Sequence, residues 1–79
     1  MKKPNVTLDM KLSGIRLHAA IKQSGYSVKE LQDMLYLSCP NPIYRWMRGE
    51  TLPSIDHLYR LSLILDIPME NLIVARYFD

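Results

Sequence analysis

Features that define several protein classes are scarce or missing in this 79-residue chain. Its single cysteine, Cys39, excludes an intramolecular disulfide and fits a reducing compartment. The apolar C-terminal third is interrupted by Asp66, Pro68 and Glu70, so it is too polar to span a membrane. The opening residues, MKKPNVTLDMKLSG, lack the apolar stretch of a signal peptide. We therefore expect a cytoplasmic protein that does not contact a membrane.

The residue sets of enzymes and metal sites are also missing from the sequence. With one cysteine, and with His18 and His57 on separate predicted helices, no set of zinc ligands can be assembled. No Ser-His-acid order, paired carboxylates or phosphate-binding glycine loop is visible. We predict a protein that is not an enzyme and that needs no cofactor and no metal. No small-molecule ligand is evident either.

Apolar residues recur at helical spacing along the chain, whereas no stretch alternates apolar and polar residues as a strand would. A chain this short forms one domain, which we place at residues 13–79 behind an N-terminal arm of residues 1–12. The first helix is predicted from Gly14 to Ser24. Ser13 is its expected N-cap, and Gly25 is expected to end it.

Further helices are indicated by their own start signals. Ser27 and Glu30 form a capping box in SVKE, and the second helix is expected to continue to about Leu35. A fourth helix begins after the N-cap Ser54, and a short fifth helix begins near Pro68. The predicted core positions are Leu17, Ala20, Ile21, Ser24, Val28, Leu31, Leu35, Ile55, Leu58, Leu61, Leu65, Leu72 and Ile73.

Between the second and fourth helices lies CPNPIYRWMRGE, residues 39–50, in which two prolines precede residues at helical spacing. Placed about 100° apart, its residues divide into a polar, basic face and an apolar face. The polar face holds Asn41, Tyr44, Arg45 and Arg48, and the apolar face holds Pro42, Ile43, Trp46 and Met47. Prolines are tolerated in a first helical turn. The pattern predicts a third helix over residues 40–48, capped by Ser38 or Cys39, with its apolar face in the core.

The second and third predicted helices are joined only by the residues YLSC. A link this short makes two helices that share a core cross steeply, which is the helix-turn-helix arrangement. No acidic residue occurs from Met34 to Gly49, whereas Arg45 and Arg48 are both present. Arginine can bind guanine through two donors, and asparagine can pair with adenine. We therefore predict that the third helix enters the major groove of double-stranded DNA.

The sequence resembles the XRE family of phage Cro/cI-type helix-turn-helix regulators. The matching motifs are I-x-x-W-x-x-G at the end of the third helix, LPS-I-D-x-L at the start of the fourth, and L-x-I-P-x-x-N-L after it. With DMKLSG ahead of the first helix, the resemblance covers nearly the whole chain. It implies an all-α, five-helix, lambda-repressor-like DNA-binding domain, which is usually a dimer on a two-fold-symmetric operator.

The resemblance also implies roles for individual residues. The expected base-contacting residues are Pro40, Asn41, Tyr44 and Arg45. The expected phosphate-contacting groups are Ser27, the backbone N–H of Val28, Arg48 and Ser54. Base contacts determine the choice of sequence, whereas phosphate contacts supply affinity and register.

Two departures from the family pattern carry predictions of their own. Relatives often pair an arginine late in the first helix with a glutamate before the closing glycine, but Ile21 and Met47 occupy those positions here. We predict that these two side chains touch, so that a hydrophobic contact replaces the buried ion pair. Replacing both members of such a pair by apolar residues is often neutral or stabilising. Tyr36 stands where glycine is common, and the link to Ile43 is one residue longer. We expect a wider turn and a shifted third helix.

Some positions keep two readings. Cys39 is a small capping or packing residue, or a redox-sensitive thiol at a helix N-terminus. Tyr59 and Leu63, together with the tail IVARYF, form a dimer surface, or they are covered by residues 1–12. Lys2 and Lys3 form either an arm near DNA or a disordered terminus.

The sequence therefore predicts a sequence-specific, DNA-binding transcriptional regulator, a repressor that acts as a homodimer. The alternative is a protein-interaction module, antitoxin-like or adaptor, that uses the same fold to hold a protein partner. Salt dependence separates the two, because binding through several phosphates weakens steeply as salt rises and a hydrophobic docking surface does not.

Overall fold

The computed structural model describes residues 5–78, and helices account for most of its regular structure. In chain order the elements are β1 (Val6–Leu8), α1 (Met10–Ser24), α2 (Val28–Met34), α3 (Asn41–Met47), α4 (Ile55–Leu65), a 3₁₀ turn (Met69–Asn71) and β2 (Ala75–Tyr77). Within this range, none of the helices is both long and apolar enough to cross a membrane. The arrangement is mostly helical, with α2 and α3 forming the helix-turn-helix and a small two-stranded sheet beside the helices.

The first helix begins four residues earlier than predicted, because Asp9 and not Ser13 is its N-cap. The Asp9 carboxylate accepts a hydrogen bond from the Leu12 backbone N–H at 2.8 Å. Ser13 is fully buried, and its hydroxyl accepts a hydrogen bond from the Val74 N–H at 2.8 Å. The predicted end of the helix is confirmed, since Gly25 adopts the left-handed φ of 81° that suits glycine.

A two-stranded antiparallel sheet, which the sequence did not indicate, joins the two ends of the described chain. Val6 of β1 pairs with Tyr77 of β2, and the Asp9 N–H donates to the Val74 carbonyl at 2.7 Å. Both strands are exposed along their length and only three residues long, so they show no alternating burial. The described part of the predicted arm is thus built into the fold, whereas Lys2 and Lys3 lie outside the described residues.

The local start signals of α2 and α4 are confirmed. The Ser27 hydroxyl accepts from the Glu30 N–H at 3.0 Å, and the Glu30 carboxylate accepts from the Ser27 N–H at 2.9 Å. These reciprocal bonds are the predicted capping box. The Ser54 hydroxyl caps α4 by accepting from the His57 N–H at 3.3 Å.

The core lies between α1, α3 and α4 and is closed by residues from α2 and the C-terminal turn. Its fully or nearly fully buried apolar residues are Leu17, Ala20, Ile21, Leu31, Leu35, Ile43, Trp46, Leu58, Leu61 and Leu72. Met47, Val28, Leu65 and Ile73 are partly buried against this cluster. Ser24 is only partly buried, and its hydroxyl donates to the Ile21 carbonyl. The prediction that Ile55 is buried is wrong, because the residue is 75% exposed.

A fifth α-helix does not form among residues 5–78, and the five-helix, all-α prediction is wrong in this respect. After Pro68 the chain makes a single 3₁₀ turn, Met69–Asn71, that packs on α4 and buries Leu72. Two residues later the Val74 backbone is bonded to Ser13 and Asp9 of the first helix region. The chain must be extended there to make these bonds, so too few residues remain for an α-helix.

Candidate nucleic-acid interface

One face of α3 is locked into the core and the other faces solvent. Ile43 and Trp46 are 0% and 4% exposed, and α3 packs mainly on α1. On the opposite side Asn41, Tyr44 and Arg45 are exposed. The predicted division of this helix into an apolar and a polar face is therefore confirmed. The buried side fixes the helix, and the polar side chains face solvent, where they can contact another molecule.

The first turn of α3 is rigid but has no side-chain cap. Pro40 occupies the N-cap position, and its carbonyl accepts from the Ile43 N–H at 3.0 Å. The prediction that Ser38 or Cys39 caps the helix is wrong, and the helix spans Asn41–Met47 instead of residues 40–48. Because proline lacks a backbone N–H, Pro42 leaves no donor unsatisfied in this turn.

Arg45 and Arg48 share a single carboxylate, that of Glu50. The Arg48 Nε donates to Glu50 Oε2 at 2.5 Å, and the Arg45 Nε lies 3.8 Å from Glu50 Oε1. The hydrogen bond from Arg48, followed by the positive charges of both arginines, lowers the pKa of the Glu50 carboxyl below its ordinary value. The same hydrogen bond raises the pKa of Arg48. Sequence reasoning missed Glu50, although it is the first acidic residue after the basic stretch.

The turn between α2 and α3 is made by a tyrosine in a glycine-like conformation. Tyr36 has φ of 56°, a region that bulky residues rarely adopt, and its side chain is 84% exposed. The Arg60 guanidinium of α4 lies over its ring, 5.4 Å from the centroid. The Leu37 N–H donates to the Gln32 carbonyl at 3.0 Å and helps to close the turn. Tyr36 thus takes a left-handed backbone conformation that glycine adopts more readily than other residues.

Two of the predicted phosphate-contacting residues lie beside the exposed face of α3. Ser27 and Val28, at the start of α2, line one shallow depression together with Tyr44. Ser27 is exposed, and the capping box leaves its hydroxyl proton free to be donated. The Val28 N–H belongs to the first turn, where backbone donors have no partner within the helix.

Arg48 lies at the C-terminal end of α3, and Ser54 lies at the start of α4. Arg48 is the C-cap of the helix and is exposed, as is Ser54 at the start of α4. His57, whose N–H is capped by Ser54, stacks at a tilt against Trp46 with the ring centroids 5.6 Å apart. The contact between these rings positions the start of α4 against the buried face of α3. The eight predicted residues therefore occupy α3 and the starts of the two neighbouring helices.

Ile21 and Met47 line the same depression as Tyr44, between α1 and α3. Ile21 is buried and Met47 is partly buried against the core. These positions hold no charge here, so the two helices meet through apolar side chains in this region. The direct contact of the two side chains stays a prediction.

Metal ligands do not gather anywhere in residues 5–78, where no group of three or more His, Cys, Asp or Glu residues could hold an ion. Cys39 is an exposed free thiol just before α3. The grouped features of the described chain are thus the basic and amide side chains of α3 and the helix starts beside them. Their chemistry suits hydrogen bonding to a polyanion.

Comparison with known proteins agrees with this geometry. A family model described as helix-turn-helix matches residues 17–72. The crystal structure of the restriction-modification controller protein C.AhdI from Aeromonas hydrophila is similar, at 25% sequence identity and a TM-score of 0.70. The similarity covers 81% of this chain and 96% of that one. No curated protein matches the chain. The matched residues include α2, the turn at Tyr36 and α3.

Proposed function

Because the chain belongs to the XRE family of helix-turn-helix DNA-binding regulators, we propose that it is a sequence-specific transcriptional repressor that inserts α3 into the major groove. The observation that carries the proposal is the exposed face of α3, with Asn41, Tyr44 and Arg45 on a helix whose other face is fixed in the core. Because the core already fixes the backbone of this helix, only its exposed side chains must be ordered when they meet base edges.

Base recognition falls to Pro40, Asn41, Tyr44 and Arg45. The amide of Asn41 can pair with adenine, and the guanidinium of Arg45 can donate two hydrogen bonds to guanine. Pro40 and the aromatic ring of Tyr44 supply apolar surface, which suits the methyl group of thymine. The rigid first turn keeps Pro40 and Asn41 in fixed positions at the end of the helix that points toward the bases.

Phosphate binding falls to Ser27, Val28, Arg48 and Ser54. The two serine hydroxyls and the Val28 N–H are neutral donors, whereas Arg48 supplies a positive charge. These groups lie at the start of α2, at the end of α3 and at the start of α4. Bound to phosphates at the edge of the groove, these donors would fix the register of the helix.

A homodimer on a palindromic operator is the assembly that the exposed surface of α4 supports. Ile55, Tyr59 and Leu63 are 75%, 55% and 65% exposed and recur every four residues along the helix. An apolar stripe at this spacing is typical of a helix face that packs against a partner. A two-fold axis through such a contact would present two copies of α3 to successive half-sites.

The similarity to the restriction-modification controller protein suggests a second role for the same site. If this chain controlled restriction-modification genes by binding an operator, that role would require the same α3 contacts as the repressor role. The alternative of a protein-interaction module requires instead that the exposed tyrosines and the proline-containing turn before α3 bind a protein.

The proposal is tested by fluorescence anisotropy with a random pool of short duplexes, at low and moderate salt, followed by sequencing of the bound fraction. Wild type is compared with Arg45→Ala. We expect wild type to bind DNA in a salt-sensitive way and to enrich one palindromic sequence. In Arg45→Ala, this sequence preference should be lost. Negligible binding by the folded protein at low salt would contradict DNA recognition and favour the protein-interaction alternative.

A further inference from the structure

The acidic residue that follows α3 contacts both of its arginines. Glu50 accepts hydrogen bonds from the Nε and Nη2 atoms of Arg48, the second at 3.4 Å, and forms a longer ion pair with Arg45. All three side chains are about half exposed. The two positive charges on the predicted DNA-facing helix are therefore partly neutralised before DNA arrives.

The backbone places Glu50 at this position. Its N–H donates to the Arg45 carbonyl at 3.0 Å, and the Gly49 N–H donates to the Trp46 carbonyl at 3.1 Å. Gly49 has φ of 74°, which reverses the chain at the end of the helix. The carboxylate is therefore held beside the arginines by the helix-ending turn, and its position does not depend on a flexible loop.

A carboxylate offers an arginine the same pair of acceptor oxygens that a phosphate offers. It also repels the DNA backbone and so opposes the sequence-independent part of DNA binding, which depends on charge. An arginine held by such a partner also has fewer rotamers to lose when it meets a base. The repulsion weakens binding to random DNA, whereas the smaller loss of rotamers favours binding to an operator.

We infer that Glu50 is a specificity-determining residue, which suppresses binding to random DNA and orients Arg45 and Arg48 for the operator. This inference rests on the proposed function of α3 as the DNA-reading helix. Glu50 touches no base in this role and acts through the two arginines, so it is a positioning residue.

The test is to titrate two fluorescent duplexes, the palindrome enriched by wild type and a scrambled sequence of equal length, with wild type and Glu50→Gln. Removing the carboxylate charge is expected to tighten binding to the scrambled duplex by about two- to fivefold, the range of an exposed ion pair. Operator affinity is expected to rise less or to fall, so the ratio of operator to scrambled affinity decreases. Glu70→Gln, which makes the same change on the exposed 3₁₀ turn beside α4, is the matched control and is expected to leave this ratio unchanged.

A double-variant cycle shows whether Glu50 acts through Arg48. In an Arg48→Ala background, Glu50→Gln is expected to have a smaller effect on scrambled-duplex binding than it has in wild type. An unchanged ratio for Glu50→Gln, with wild type still selecting its palindrome, would overturn the inference and leave the proposed function intact. Absence of DNA binding by wild type would remove both together. Each substituted side chain is exposed, so the melting temperature of each variant should match that of wild type. Thermal melting therefore confirms that the comparison is between folded proteins.

Discussion

Gly14 in α1 and Gly49 after α3 bring two backbones into direct contact. A Cβ atom built on Gly14 would lie 2.6 Å from the Gly49 nitrogen, which is closer than Cβ atoms come to non-bonded heavy atoms in proteins. A Cβ on Gly49 would in turn lie 2.8 Å from the carbonyl oxygen of Met10. The end of α3 is therefore seated on the first turns of α1. This contact also fixes the position of Arg48 and Glu50, which flank Gly49 in the chain.

Replacing Gly14 with alanine is expected to destabilise the protein, although the same change in an ordinary helix interior stabilises by about 1 kcal/mol. The added methyl group meets backbone atoms that cannot rotate away, and overpacking of this kind costs about 1–3 kcal/mol. Urea unfolding measures the difference. A stability equal to or above that of wild type would show that α3 can shift away from α1 without cost.

Gly25→Ala separates this packing effect from backbone conformation. Gly25 has φ of 81° but no atom within 4 Å of the position its Cβ would take. Its substitution is therefore expected to cost only the left-handed backbone penalty of about 1–2 kcal/mol. It should leave DNA affinity unchanged, whereas Gly14→Ala should weaken DNA binding because it displaces the end of α3.

Local signals in the sequence predicted the parts of the fold that depend on neighbouring residues. The Ser27 capping box, the Ser54 cap and the end of α1 at Gly25 each involve residues within a few positions of each other, and all three are confirmed. The choice between Asp9 and Ser13 as the cap of α1 is different. Both residue types are good caps, and the choice is settled by Val74, which is 61 residues from Ser13.

The exposed face of α3 was predictable because helical periodicity is a local property, whereas the Glu50 ion pairs depend on how the chain turns at Gly49.

Ile55 was wrongly predicted to be buried because its position around α4 was misjudged. At about 100° per residue it lies about 40° from Tyr59 and 80° from Leu63, on the exposed side of α4. The strands are three residues long and exposed, so they leave no periodic signal.

Tyr36 is expected to lower stability through its backbone conformation and to recover part of that loss through Arg60. A left-handed conformation costs a residue with a side chain about 1–2 kcal/mol, and an exposed cation–π contact returns about 0.5–1 kcal/mol. Tyr36→Gly is therefore expected to raise the free energy of unfolding more in an Arg60→Ala background than in wild type. Loss of stability in both backgrounds, measured by urea titration, would contradict this account of the turn.

The charge of Asp9 is expected to make stability depend on pH in the acid range. The hydrogen bond from the Leu12 N–H, and then the bond and charge of Arg76, lower the pKa of the Asp9 carboxyl despite partial desolvation. A lowered pKa stabilises the fold above the ordinary value of about 4, and this contribution is lost as the pH falls through the folded value. Asp9→Asn should therefore melt below wild type at pH 7.

The same pair of proteins provides its own control at low pH. The gap in Tm between wild type and Asp9→Asn should begin to narrow as the pH falls below the ordinary value of about 4. It should close once the pH is below the lowered pKa of the folded Asp9 carboxyl, which is then protonated. Asp33→Asn, which removes an exposed carboxylate paired with Lys29 at 3.3 Å, should show a much smaller gap at every pH. A gap for Asp9→Asn that persists unchanged into acid would show that geometry, and not charge, is responsible.

Arg45 and Arg48 are expected to affect DNA binding in different ways. Arg48→Ala should reduce the slope of log affinity against log salt by about one and leave the preferred sequence unchanged, because a phosphate contact is lost. Arg45→Ala should relax the preference at one base pair, at a cost of about 1–3 kcal/mol on the best site. Arg16→Ala, on the exposed side of α1 near the C-terminal tail, is the charge-matched control. If all three variants change the salt slope equally, the two proposed roles are not distinct.

Leu63→Glu is expected to convert the proposed homodimer into a monomer. Leu63 is 65% exposed, so the substitution disturbs no core contact, but it places a charge in the apolar stripe with Ile55 and Tyr59. Sedimentation velocity over a range of concentrations measures the change, and affinity for a palindromic duplex should fall while affinity for a single half-site does not. Ile15→Glu, which alters an apolar residue on α1 that is 56% exposed, should leave the dimer intact. A two-fold interface buries the introduced charge twice, so it must be sensitive to Leu63→Glu. The stripe is therefore excluded as the contact if wild type sediments as a monomer at high concentration. It is also excluded if Leu63→Glu and Ile15→Glu behave alike.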